Sequence, residues 1–192
     1  MRTWESVLTG DDASAPRPAA SSGNEGGGNQ DGRGGSGHAE SMSRFEISRS
    51  VAIRAPRERV HALVDHLPTW EEWSPWEGLD PAMHHEYSGP ERGTGATHHW
   101  VGNRKAGEGT MRITESTLDH VTLDLRFAKP MTAHHTVVTG LVPVEDSTEV
   151  TWTMTGEQGP IGRAFFAVFG MEKALGRDFD RGLTQLKELA ER

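Results

Sequence analysis

The first ordered part of the chain is marked by its hydrophobic pattern. Between Arg44 and Ala55, apolar residues alternate with polar ones at the two-residue period of a half-buried β-strand. From Pro56 to Leu67 the apolar residues recur at helical spacing instead, and the proline suits the first turn of a helix. The pattern therefore predicts a strand followed directly by a short helix. The next segment, TWEEWSPW, predicts a second short helix or helical turn.

The middle of the chain predicts a series of strands. Six strand-like segments follow, separated by clusters of Gly, Pro, Asn and Asp. They lie near His84–Tyr87, Thr94–Gly102, Gly107–Ser116, His120–Lys129, Met131–Val144 and Thr148–Thr155. From Gly159 onward the pattern becomes helical and ends in a long amphipathic helix. This order of elements predicts an α+β domain.

The predicted sheet has one apolar face that must be covered. Only the terminal helix is long enough to cover it. A strongly curved sheet and a straight helix do not fill the same volume, so we expect a cavity between them. Such a cavity is the usual place for a small ligand.

Composition separates a tail from this domain. Met1–Ser43 is rich in Gly and Ser and predicts a disordered tail, ahead of a single domain over Arg44–Arg192. The net charge of −8 argues against a nucleic-acid partner, and the lack of cysteine excludes disulfides and thiol nucleophiles. Because the chain opens without a signal-peptide pattern and has no apolar run long enough to span a bilayer, we expect a cytoplasmic protein without stable membrane insertion.

Several motifs of the chain resemble one known superfamily. They are the opening strand FEISRSVAIRAPRERV and the segments WEEWSPWEGLDPAM, YSGPERGTGA, GNRKAGEGTMRITES, VTWTMTGE and KALGRDFDRGLTQLK. Over about Phe45–Ala190 the chain resembles the SRPBCC or START-like superfamily, in the branch labelled polyketide cyclase/dehydrase. The resemblance implies a helix-grip fold like that of the birch pollen allergen, with a curved antiparallel sheet of about seven strands around the long C-terminal helix. It also implies a hydrophobic cavity suited to lipids, polyketides or other apolar molecules.

Aromatic residues supply the expected lining of the cavity. Trp70, Trp73 and Trp76 are three residues apart, and in a helix they form a broad aromatic ridge. This ridge fits core packing as well as the wall of a pocket. The expected lining consists of Trp73, Trp76, Trp100, Met111, Phe127, Trp152, Phe165 and Phe169.

Tyr87, His99 and Glu108 are the expected polar contacts of a ligand. A tyrosine can donate its phenol to a carbonyl, a histidine suits proton transfer at neutral pH, and a glutamate can remove a proton next to a carbonyl. Gly107 and Gly109 allow a β-bulge or the close approach of a strand, with Glu108 pointing away from both. The alternatives are a tyrosine bonded to the backbone and a surface glutamate paired with a nearby basic residue.

Three histidine doublets fall in predicted strands: His84–His85, His98–His99 and His134–His135. Neighbouring residues of a strand face opposite sides, so each doublet sends one ring inward. Three inward rings can form a zinc or iron triad, but the sequence fixes no strand register and we expect no metal site. His99 and His135 are the expected inward rings, as hydrogen-bond partners or bases.

These features favour the binding of a small apolar ligand over catalysis, because no set of nucleophile, base and orienting group can be assigned. No cofactor is expected. Two other functions stay open. A cyclase or dehydratase acting on a polyketide-like carbonyl compound would use His99 or Glu108 as its base. A protein-binding module, like the stress-ATPase activator domains of the same superfamily, would use an outer surface for an unspecified protein partner.

Overall fold

The computed structural model of the protein describes residues 43–159 and 171–192. The predicted tail ahead of Ser43 and the candidate lining residues Phe165 and Phe169 lie outside the described residues. The described helices are α1 (Arg57–Val64), a 3-10 helix (Leu67–Glu72) and α2 (Met171–Ala190). The strands are β1 (Ser43–Ile53), β2 (His84–Ser88), β3 (Thr97–Val101), β4 (Glu108–Ser116), β5 (His120–Lys129), β6 (Ala133–Val144) and β7 (Ser147–Gln158).

These strands form one antiparallel sheet in the order β1-β7-β6-β5-β4-β3-β2. From β2 to β7 each strand pairs with the next one along the chain. β1 then pairs with β7 over its whole length, from Ser43 opposite Gln158 to Ile53 opposite Thr148. The arrangement confirms the predicted α+β helix-grip fold, with a seven-stranded sheet, two short helices after the first strand and a long C-terminal helix.

Alternation along the strands decides which face of the sheet is buried. In β5, Val121, Leu123 and Leu125 are buried, whereas the residues between them are only half-buried. We call the buried side the inner face. α2 covers it with an apolar stripe in which Phe179, Leu183, Leu186 and Ala190 are buried.

Polar contacts fix the C-terminal end of α2 to the sheet. Lys187 Nζ donates to the carbonyl oxygen of Ala52 at 2.5 Å. Glu191 accepts a hydrogen bond from the backbone N–H of Arg54 at 2.7 Å. The helix is therefore anchored along its apolar stripe and at its end. Within the described residues, no helix combines the length and the apolar character needed to cross a membrane.

Candidate functional site

A row of aromatic side chains crosses the inner face of the sheet. Residues paired across the seven strands form one continuous line, which is Phe45, Gly156, His135, Leu125, Met111, His98 and Tyr87. Phe127 and Trp100 lie in the adjacent line. The ring centroids of neighbouring members lie 4.6–6.1 Å apart. We call the six rings the aromatic belt: Phe45, His135, Phe127, Trp100, His98 and Tyr87.

Two glycines make room for the belt. A Cβ atom at Gly109 would contact the Trp100 ring and would lie 2.6 Å from the carbonyl oxygen of Arg126. A Cβ atom at Gly156 would contact His135 Nδ1 and would lie 2.6 Å from the Phe45 ring. Because glycine has no side chain, these rings lie directly over the backbone of β4 and β7. The belt therefore crosses the sheet without interruption by intervening side chains at these two positions.

A group of polar side chains lies at the β2 end of the belt, and we call it the polar cluster: Glu71, Glu77, His85, Tyr87 and His98. His85 Nδ1 lies 3.0 Å from His98 Nε2, and the Tyr87 hydroxyl donates to Glu71 Oε1 at 2.6 Å. Two carboxylates flank the His85 ring, with Glu71 4.0 Å from Nδ1 and Glu77 4.0 Å from Nε2. Both glutamates come from the 3-10 helix and the turn after it, so this cluster joins the sheet edge to the segment between β1 and β2.

Burial controls the charges in this cluster. Removal from water and, to a smaller extent, the adjacent His85 ring lower the pKa of His98 to about 4, so His98 is neutral at pH 7. Burial raises the pKa of the Glu77 carboxyl. Burial also raises the pKa of Tyr87, and its hydrogen bond to Glu71 acts in the same direction, so the phenol keeps its proton. At the other end of the belt, burial lowers the pKa of His135. Both shifts favour the uncharged form of the belt histidines at pH 7.

We expect His98→Phe to make folding less sensitive to acid. His98 has a pKa of about 4 when folded, against 6.5 as its ordinary value, so the unfolded chain binds more protons between these two values. This residue therefore lowers the free energy of unfolding as the pH falls from 6.5 toward 4. Urea unfolding is measured near pH 7 and at about pH 4.5. The decrease in the free energy of unfolding between these two pH values is expected to be smaller by about 1–2 kcal/mol in the variant than in the wild type. His99→Phe is the control, and an equal loss in all three proteins would contradict the assignment.

The tryptophans near the 3-10 helix form a separate cluster in the core. Trp152 stacks on Phe179 of α2 with ring centroids 4.4 Å apart, and it also contacts Trp70, Trp73 and Trp76 at 5.4–6.0 Å. We call these four tryptophans the tryptophan cluster. Trp73 and Trp152 are fully buried, and Trp76 is half-buried. Trp73 and Trp152 therefore pack the core, which is one of the two roles that their sequence pattern allows.

His99 and Glu108 lie on the outer face of the sheet. His99 Nε2 is 3.8 Å from the Glu108 carboxylate, and Glu108 also pairs with Lys129 at 2.6 Å. The expected inward orientation of His99 is wrong, because Trp100 points inward and the adjacent residue must point outward. Glu108 does point away from Gly109, and the strand register shifts between them, as the flanking glycines predict. In place of His99, it is His98 that reaches the inner face.

Each histidine doublet has one ring on each face. His85, His98 and His135 are the inner rings, and His85 and His98 meet. His135 lies on β6, with β4 and β5 between it and His98. The three rings therefore do not converge. Among residues 43–159 and 171–192, no three His, Asp or Glu side chains are arranged to hold a metal ion.

Several residues of the aromatic belt and of the polar cluster are absent from the candidates that the sequence predicts. Of the expected set, Tyr87, Trp100 and Phe127 belong to the belt, and Met111 lies in its line. The residues not chosen as lining are Phe45, Glu71, Glu77, His85 and His98. The inward orientation of His98 and Phe45 is predictable from the sequence, because each lies two residues from an inward-facing apolar residue of its own strand. The positions of Glu71 and Glu77 are not predictable in this way, because both residues lie outside the sheet.

Comparison with solved structures agrees with this architecture. Norcoclaurine synthase from Thalictrum flavum matches with a TM-score of 0.60 at 10% identity, over 78% of this chain and 94% of that one. The Aha1 dimer from Colwellia psychrerythraea matches with a TM-score of 0.54 at 17% identity, over 77% and 96%. Protein CV1439 from Chromobacterium violaceum matches with a TM-score of 0.55 at 13% identity, over 77% and 97%. At these identities the likeness concerns the fold.

A family model covers almost the whole predicted domain. The model described as "Polyketide cyclase / dehydrase and lipid transport" matches residues 44–191. No curated protein matches this chain. The family match confirms the resemblance that the sequence motifs carry, and it supports a ligand-binding or cyclase-type role. The chain belongs to the polyketide cyclase/dehydrase and lipid transport family of the SRPBCC superfamily.

Proposed function

We propose that this domain binds a small apolar or amphipathic molecule, such as a lipid, a polyketide or a similar metabolite, against the aromatic belt. The observation that carries the proposal is the belt itself. It is an uninterrupted line of rings over two glycines, and several of its members are half-buried rather than packed into the core. Flat aromatic surfaces of this kind bind apolar ligands by stacking and by excluding water.

Polar atoms along the belt support an amphipathic ligand over a pure hydrocarbon. Tyr87 is 37% exposed at the β2 end of the belt, and its hydroxyl donates to the Glu71 carboxylate. An amphipathic ligand would place its polar end beside these two groups and keep its apolar part on the rings. The net charge of −8 supports a small molecule rather than a nucleic acid as this ligand.

The positions of the two candidate bases favour ligand binding over cyclase chemistry. His99 and Glu108 lie on the outer face, on the opposite side of the sheet from the belt. A base must lie within hydrogen-bond reach of the proton that it removes. A substrate on the belt would therefore be separated from both groups by the sheet.

Truncating a belt ring is expected to weaken binding. The probe is prodan, a neutral naphthalene ketone whose emission shifts to the blue in apolar sites, titrated against the full chain. Phe127→Ala removes a half-buried ring that contacts Trp100 and His135, and we expect about a tenfold loss of prodan affinity. Phe127→Leu keeps most of the apolar volume, and its loss of prodan affinity is expected to be smaller.

The control for this titration is a residue remote from the belt. Leu118 is 44% exposed in the turn between β4 and β5, and Leu118→Ala is expected to bind prodan as the wild type does. Circular dichroism shows whether each variant is folded. Unchanged prodan affinity in a folded Phe127→Ala variant, or no binding by the wild type, would overturn the proposal.

A further inference from the structure

We infer that residues 4–8 of the chain dock in an apolar groove on the outer face of the sheet. This contact within one molecule is separate from the proposed ligand site, because the groove and the aromatic belt lie on opposite faces. The inference rests on three features. They are the exposed groove, the apolar residues ahead of Ser43, and the length of chain that joins the two.

The groove lies at the end of the β6–β7 hairpin, beside β1. Val142 is opposite Glu149, which is opposite Ala52, so these three residues form one line across the outer face. Val142 and Val144 are exposed although both are apolar, and covering such side chains with another apolar group is favourable. Beside them lies an open groove of about 210 Å³. We call it the outer groove, and it is lined by Ser50, Val51, Ala52, Val144, Ser147 and Glu149.

Covering the surface beside the outer groove removes few hydrogen bonds to water. Ser48 Oγ lies 2.9 Å from Thr153 Oγ1, and Ser50 Oγ lies 2.8 Å from Thr151 Oγ1. Hydroxyl groups that bond each other depend less on water than free ones do. The outer face of β4 and β5 differs, because charged pairs lie on it. An apolar segment is therefore expected to bind on the β1 side of this face.

The apolar residues ahead of Ser43 are concentrated in one place. Trp4, Val7 and Leu8 are the only Trp, Phe, Ile, Leu or Val residues there, and they lie within five positions. Residues 9–42 are instead rich in Gly, Ser and charged residues. Transfer of a tryptophan from water to an apolar surface is favourable because the ring is large. Residues 4–8 are therefore the part of this region best suited to cover the outer groove.

The length of residues 9–42 fits the distance to the outer groove. Ser43 begins β1, and Ser50 and Ala52 lie about 23–30 Å further along this extended strand. A Gly- and Ser-rich chain of this length has a root-mean-square end-to-end distance of about 30–35 Å. The effective concentration of a tethered segment is highest when this distance matches the span, and it then reaches about the millimolar range. The tether therefore favours this segment over a second copy of the chain, which binds only at its bulk concentration.

Paramagnetic relaxation tests the docking in the full chain. Because the sequence contains no cysteine, Ser6→Cys provides a single site for a nitroxide spin label within the segment. In nitrogen-15-labelled protein, the amide signals of Ala52 and Glu149 are expected to lose about half of their intensity or more, because a tethered segment populates even a weak contact. The signal of Val101, an exposed valine on the outer face of β3, is expected to lose much less.

Substitutions at two exposed valines provide a matched comparison. Val144→Asp places a charge in the outer groove, and we expect it to remove the signal losses at Ala52 and Glu149. Val101→Asp places the same charge on a distant strand and is expected to leave those losses unchanged. Trp4→Ser in the spin-labelled chain is expected to remove them as well. Circular dichroism shows whether each variant is folded.

Two results would overturn the inference. Equal losses around the outer groove and around Val101, or losses that persist in a folded Val144→Asp variant, would show that the segment passes over the surface without docking there. The second result comes from a mixture of spin-labelled chains without nitrogen-15 and nitrogen-15-labelled chains without the spin label. Losses of full size in this mixture would show docking between two copies instead of within one molecule.

Discussion

Replacing Trp152 with alanine is expected to lower the free energy of unfolding by about 4 kcal/mol. The side chain is 1% exposed and lies on the inner face of β7, which pairs with the edge strand β1. It stacks on Phe179 of α2 with ring centroids 4.4 Å apart, and it contacts Trp73 edge-on at 5.4 Å. One ring therefore joins the sheet, the terminal helix and the segment after the 3-10 helix, and its removal leaves a cavity among all three.

Urea unfolding followed by circular dichroism measures this effect, and two variants interpret it. Val142 is 57% exposed, and Val142→Ala is expected to change the free energy of unfolding by less than about 0.5 kcal/mol. Trp152→Phe keeps an aromatic ring and removes an indole N–H that has no partner among the described residues. Its free energy of unfolding is therefore expected to fall much less than that of the alanine variant. A loss below about 1 kcal/mol for Trp152→Ala would show that the tryptophan cluster does not hold α2 on the sheet.

The separation of the tryptophan cluster from the belt bears on function. Trp152 and Met154 are successive inward residues of β7, and the next one is Gly156, over which the belt passes. The fully buried tryptophans thus fix the positions of the elements, and the half-buried rings further along the strands provide a surface for a ligand. Stability and binding are carried by neighbouring but different sets of side chains.

The fold could be predicted from the sequence because its signals are local and repeated. The alternation of Val121, Leu123 and Leu125 predicts both the strand β5 and its inner face, and the helical stripe that includes Phe179 and Leu183 predicts the cover. Each signal depends only on residues that are close in sequence. The antiparallel meander then follows from short connections between consecutive strands.

The polar cluster could not be predicted in the same way. The contact between His85 and His98 requires the register of β2 against β3, in which His85 is opposite Trp100 and Tyr87 is opposite His98. This register depends on the geometry of the loop between the strands, which the pattern of apolar residues does not determine. The approach of Glu71 depends further on how the 3-10 helix packs against the sheet edge. Local periodicity contains neither piece of information.

Gly109→Ala is expected to lower the free energy of unfolding by about 2–3 kcal/mol, although it adds only one methyl group. The new Cβ atom would contact the Trp100 ring and would lie 2.6 Å from the carbonyl oxygen of Arg126. The carbonyl belongs to the backbone of the neighbouring strand and cannot rotate away, so the ring or the strand must shift. Because Trp100 also donates to the carbonyl oxygen of Ala106 at 3.1 Å, moving the ring breaks a hydrogen bond as well.

A second glycine in the same sheet provides a matched comparison for this substitution. Gly140 lies in β6, and the nearest atom to a Cβ atom built there is the carbonyl oxygen of Thr151 at 3.9 Å, an ordinary contact. Gly140→Ala is therefore expected to leave stability unchanged or to raise it by up to about 1 kcal/mol, because it restricts the unfolded chain. Urea unfolding measures both variants, and prodan titration tests whether Gly109→Ala also weakens binding by displacing Trp100 from the belt. Equal stability of the two alanine variants would mean that the ring does not lie over the β4 backbone, and the belt would then lack the continuity on which the proposed ligand site depends.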